Sequence, residues 1–102
     1  MTAAPHYELE SDAAGTLRLR GEISFANAAQ AFAVPPRAVQ PGVALDVDLA
    51  ALESADSATL AVLIAWSAAA RERGTTLRYL HAPQGLRNLA KLADVDGLLS
   101  LA

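Results

Sequence analysis

Hydrophobic and polar positions alternate along the first part of the chain. Tyr7 and Leu9 alternate with Glu8 and Glu10, and Leu17 and Leu19 alternate with Arg18 and Arg20. A period of two marks strands with one buried face. The turn cluster Ser11–Gly15 between them predicts a hairpin. Phe25–Ala33 is helical in composition, with Phe25, Ala28/Ala29 and Phe32 on one stripe, and Pro35 and Pro36 stop it. Val43–Leu49 alternates again, with Leu45, Val47 and Leu49 on one side and Ala44, Asp46 and Asp48 on the other. Its Leu and Val run suits a central strand covered by helices. Leu60, Leu63, Ile64 and Ser67 then repeat at i, i+3, i+4 and i+7, which predicts one long Ala-rich helix over Ser57–Arg73. Thr75–His81 reads as a fourth strand. Pro83 suits the first turn of a third helix running to about Ala93, with Leu86, Leu89 and Ala93 inward. Asp94–Ala102 fits a short helix or an edge strand and is read here as helix.

These elements predict an α/β domain: a mixed four-stranded sheet with three to four helices, an opening β-hairpin followed by the order βαβα. At 102 residues the chain is expected to be one domain, residues 1–102, with Met1–Pro5 a frayed tail. The period changes from two to 3.6 within Val47–Arg73, at Leu52–Asp56. Asp56 and Ser57 sit where a helix wants its N-cap, since a short side-chain oxygen can accept from an orphan N–H there. Gly74 follows Arg71 and Arg73, where a helix wants its closing glycine and cations.

The same stretch carries a resemblance. Asp48-Leu49, then Leu52, then Asp56-Ser57-Ala58-Thr59-Leu60 resembles the signature of STAS domains. These are small α/β modules of anti-sigma-factor antagonists, anion-transporter tails and the Mla phospholipid transporter. In that family a strand ends in Asp-Leu, and an Asp-Ser/Thr-x-Gly-Leu box opens the next helix; here Thr59 stands in place of the Gly. Gly21-Glu22-Ile23 resembles the family's Gly-Glu-Leu before its first helix. Leu89-Ala90-Lys91-Leu92 is similar to the Leu-Ala-Lys-Leu of the third helix in the Mla STAS subunit, and no clear fifth strand and long final helix follow it, as they do in antagonists.

Composition narrows the chemistry. The chain is 53% hydrophobic and 19% charged, enough to bury a core. A net charge of −3 leaves no footprint for nucleic acid, and the absence of cysteine removes disulfides and thiol chemistry. The sequence shows no signal segment and no apolar run of the ~20 residues that a membrane span needs. The expected location is the cytoplasm, without direct membrane insertion; the resemblance implies a peripheral place at the inner membrane through a partner complex. Asp46 and Asp48 could do acid/base work or hold Mg²⁺, but one is expected to tie a loop and the other to be solvated. His6 and His81 lack spaced ligand partners, so no metal is expected. No Gly-x-Ser-x-Gly elbow surrounds Ser57, so it is not read as a nucleophile. No phosphate-binding glycine loop is present, and Asp56 would repel a phosphate, so no cofactor is expected. Arg71, Arg73 and Arg78 read as a solvated edge.

The resulting expectation is a non-enzymatic binding subunit. The resemblance implies a partner, the ABC ATPase of an Mla-type phospholipid transporter, met by Ser57 with Asp56 and Thr59. Trp66, off the Leu60/Leu63/Ile64 stripe, is expected to be partly exposed on or beside the contact face. The alternative implied by the resemblance is an anti-sigma-factor antagonist, with Ser57 phosphorylated by a serine kinase.

Overall fold

The structure, a computed structural model, describes residues 6–11, 16–33, 44–99 and 101. The expectations for Met1–Pro5, for the turn at 12–15, for Pro35 and Pro36 and for a strand start at Val43 fall outside those residues.

The chain runs β1 (Tyr7–Ser11), β2 (Leu17–Gly21), α1 (Phe25–Ala33), β3 (Leu45–Asp48), α2 (Ser57–Glu72), β4 (Leu77–Leu80), α3 (Gln84–Leu92) and α4 (Asp96–Leu99). The sheet order is β1-β2-β3-β4. β1 and β2 are antiparallel, with Tyr7 opposite Gly21 and Ser11 opposite Leu17. β2, β3 and β4 are parallel, with Leu17 opposite Val47 and Leu45 opposite Leu77. This is the mixed four-stranded sheet with helices that the hydrophobic pattern predicts.

The period of two places Leu17, Leu19, Leu45, Val47, Leu77 and Tyr79 on one buried face. Arg18, Arg20, Asp46, Asp48 and Arg78 fall on the other. β3 is central, as its composition suggests, but its alternating burial shows helix cover on one face only. The open face is kept polar by charges of opposite sign on neighbouring strands. Arg20 lies 3.3 Å from Glu8 and 3.9 Å from Glu10. Arg78 makes a two-pronged contact with Asp46, at 2.9 and 3.1 Å. Arg78 is exposed, in keeping with a solvated edge, and it also pairs with Asp46, the carboxylate expected to be merely solvated, across adjacent strands. Exposed pairs of this kind add little to stability and mainly keep the open face wet.

α2 is the hub of the covered face, and two of its rows are buried. Leu63 and Ser67 meet β4, where the Tyr79 hydroxyl donates to the Leu63 carbonyl at 2.8 Å and lies 3.4 Å from the Ser67 hydroxyl. Thr59, Val62, Trp66 and Ala70 form a second buried row. Trp66 is only 1% exposed. Its indole N–H donates to the Ala31 carbonyl of α1 at 2.8 Å, and its ring lies 6.3 Å from that of Tyr7. This corrects the expectation of a partly exposed Trp66. The small buried side chains Ala28 and Ala31 let α1 close over it. A tryptophan so enclosed is core and cannot anchor a partner.

α1 itself is rotated from the predicted stripe. Asn27, Ala28 and Ala31 are buried, whereas Phe25 is 84% exposed and Ala29 is exposed; the side chain of Phe32 lies outside what the structure describes. In α3, Leu86 and Ala90 are buried and Leu89 is half-buried, while Ala93, expected inward, is the exposed residue that ends the helix. The last segment is a helix, as read: α4 buries Leu99, and beyond it Leu101 makes an isolated parallel bridge with Tyr79 rather than an edge strand.

Candidate interaction site at the start of the long helix

The C-terminal ends of β2 and β3 run side by side into two connections. Gly21 pairs with Leu52, and the Glu53 N–H donates to the Gly21 carbonyl at 2.8 Å. Gly21 has φ of +92°, and a Cβ there would run into the backbone oxygen of His6. Only glycine passes this junction, which explains why the Gly-Glu-Ile run stands where it does. Beyond it, Ser24 begins α1. Its hydroxyl accepts from the Ala26 N–H, while the Asn27 side chain accepts from the Ser24 N–H and donates to the Glu22 carbonyl.

α2 begins one connection away. Asp56 is its N-cap, with extended backbone, and its carboxylate accepts from the Thr59 N–H at 2.9 Å. Such a cap contributes ~1 kcal/mol. Ser57 follows as the first helical residue and is exposed, as is Asp56. At the other end, Arg73 closes the helix and Gly74 takes φ of +76°, the C-terminal turn that the glycine predicts.

Thr59 does not face outward. It is fully buried, and the expectation that its hydroxyl meets a partner is corrected. Thr59 Oγ1 lies 3.1 Å from the Ile23 carbonyl, 2.8 Å from Ser54 Oγ and 2.9 Å from Asp56 Oδ1. A hydroxyl has one proton, and the carbonyl and carboxylate only accept. The Thr59 proton therefore goes to one of those two, and Ser54 donates to Thr59. Ser54 Oγ in turn accepts from the Ile23 N–H at 3.0 Å. Four residues from two connections are tied in one small network. A glycine at position 59 would supply none of this.

Of the residues singled out from the sequence, the structure brings Asp56, Ser57 and Thr59 together, with the first two facing solvent. Trp66 lies nine residues further on, ~14 Å along the axis, and buried. Ser54 and Ile23 were missed because their roles depend on a contact between segments 31 residues apart. Phe25 was assigned to the wrong face.

Asp48 and His81 join at the same end of the sheet. Asp48 Oδ1 accepts from the Ala50 N–H at 2.9 Å and lies 3.0 Å from His81 Nδ1. The Ala50 N–H foremost, and then the His81 contact, hold the Asp48 carboxyl below its ordinary value. Asp48 thus ties the start of the β3–α2 connection, as expected of one of the pair. Among the described residues no group of three or more His, Cys, Asp or Glu could hold a metal ion, and no helix is long and apolar enough to cross a membrane. A shallow groove of about 350 Å³ between α3 and α4 is lined by Gln84, Arg87, Asn88, Lys91, Asp96 and Leu101. Its mixed charges and sparse apolar lining are unlike the enclosed apolar pockets that hold small molecules.

A one-faced sheet that ends in a capped, solvent-facing helix start defines an α/β module of the STAS type. The sequence matches the family described as "Mlab, STAS domain" over residues 8–100, so the chain belongs to the STAS domain family, in its Mlab type. No curated protein matches the chain.

Proposed function

We propose that this chain is a non-catalytic, cytoplasmic STAS subunit that binds and supports the ABC ATPase of an Mla-type phospholipid transporter, through Ser57 and Asp56 at the front of α2. The observation that carries this reading is the exposure of Ser57 and Asp56 at the first turn of the longest helix, on a frame that the Thr59 network holds in place. The family match supports the class, and Leu89-Ala90-Lys91-Leu92 supports the transporter branch. The complex would place the subunit at the inner membrane without inserting it.

Ser57→Glu tests the reading. A carboxylate at the first turn suits the helix dipole, so the fold should keep its Tm. Capture of the purified ATPase subunit from the same genome should fall sharply, because a longer side chain takes the place of the small hydroxyl at the point of contact. Equal capture by the variant and the wild type would reject the reading.

A second reading is favoured by the same exposed hydroxyl: an anti-sigma-factor antagonist switched by phosphorylation of Ser57. A phosphate would add about −1.5 to −2 charges beside Asp56 and repel an acidic partner face. Adjacent genes for an ABC ATPase and permease would favour the first reading, and genes for a serine kinase and sigma factor the second.

A further inference from the structure

We propose that Phe25 and Ser57 belong to one partner-binding surface, and that the buried hydroxyls of Thr59 and Ser54 are positioning residues that hold its two halves in register. This rests on the reading above and adds what the partner must present: an apolar pocket ringed by Lys and Arg.

Phe25 is 84% exposed, although the chain has enough small residues on α1 to have turned the ring inward. Phe, with Tyr and Trp, is enriched at the cores of protein interfaces. Phe25 opens α1 two residues after Ile23, so its Cα lies within ~7 Å of that of Ile23. Ile23 is held at both backbone groups, its N–H by Ser54 Oγ and its carbonyl by Thr59 Oγ1. Thr59 is two residues from Ser57 and bound to the Asp56 cap. The start of α1 and the start of α2 are therefore linked through one hydroxyl pair rather than through the core alone.

The described charged residues on the two connections that lead into α1 and α2 are all acidic. The Gly21–Glu53 backbone bond brings Glu22 and Glu53 together, and Asp56 follows on the same connection. All three are exposed, and none takes part in an ion pair among the described residues. The arginines lie elsewhere. Arg20 and Arg78 pair across the open sheet face, and Arg71 and Arg73 stand at the far end of α2, ~22 Å away along its axis. A phenyl ring at the start of α1, with exposed carboxylates on the two connections that lead into α1 and α2, fits a basic-rimmed apolar pocket.

The test is calorimetric titration of the full-length chain with the purified ATPase subunit from the same genome, at low and high salt, with Tm measured in parallel. Phe25→Ala should weaken binding about tenfold or more, the mark of an anchor, with Tm almost unmoved. Thr59→Val, which keeps the shape but loses the hydroxyl, should weaken binding while Thr59→Ser restores it. Wild-type affinity should fall as salt rises. If Thr59→Val does not fold, Ser54→Ala removes the same link and is read in its place. Binding by Phe25→Ala within about twofold of wild type, while Ser57→Glu loses capture, overturns this inference and leaves the general reading standing. Failure of Thr59→Ser to restore binding overturns the positioning role. Wild-type binding by Ser57→Glu as well overturns the general reading itself.

Discussion

Trp66 shows how much one side chain can be misplaced by sequence alone. On the helix it sits beside Ala65 and Ala69, and nothing local says that α1 will lie across it. In the fold its indole N–H satisfies the carbonyl of Ala31, in the last turn of α1, where carbonyls have no intrahelical partner. Trp66→Phe should therefore cost about 1–3 kcal/mol, from an unsatisfied buried carbonyl and an unfilled volume. The lone tryptophan also reports on itself. Its native emission should be blue-shifted and resist acrylamide, then shift red on unfolding; strong quenching in the native state would contradict the burial. At Thr59 the local reading erred in the same direction. A polar residue at a helix start suggests solvent, yet its hydroxyl is buried against three partners within the chain.

Junctions decide where each element begins and ends. The β2–α1 junction depends on Gly21, whose positive φ and closeness to His6 exclude a side chain. Gly21→Ala should lose about 2 kcal/mol or more, from the left-handed backbone and the collision together. Urea or thermal unfolding would show this as a Tm lower by roughly 10 °C. A change under a degree or two would mean that β1 simply moves aside. The long helix needs less from its surroundings. Asp56 caps it, Gly74 ends it, and its apolar rows are read directly from spacing.

At the scale of the molecule, two groups set a pH window. Asp48 has its carboxyl held low by the Ala50 N–H and His81. A lowered folded pKa means that the stabilisation is present above the unfolded value near ~4 and is lost as pH falls through the folded one. Tyr79 is the reverse case: burial pushes its phenol far above the usual range, against a smaller downward pull from Ser67. Its contribution is complete below the unfolded value near ~10 and is lost as pH rises beyond it. Urea midpoints should therefore be flat at neutral pH and fall on both sides. Asp48→Asn should lower stability at pH 7, with the gap to wild type closing in acid; a gap unchanged between about pH 6 and pH 3 would remove Asp48 from the acid limb.

Hydrophobic period and capping residues were enough to predict the element order, the mixed sheet, the extent of α1 and α2, the Asp56 cap and the Gly74 stop. They also located Ser57 at the front of the central helix. Apart from the mixed sheet, which follows from the order of the elements, each of these follows from spacing within a dozen residues, where backbone period and capping chemistry act. Packing between distant segments set which face of α1 turns inward and leaves Phe25 in solvent, buried Thr59 and Trp66, and paired Asp46 with Arg78. Those outcomes depend on contacts between segments 31 to 36 residues apart, and a small Ala-rich helix can satisfy its own pattern in more than one rotation until its neighbours choose.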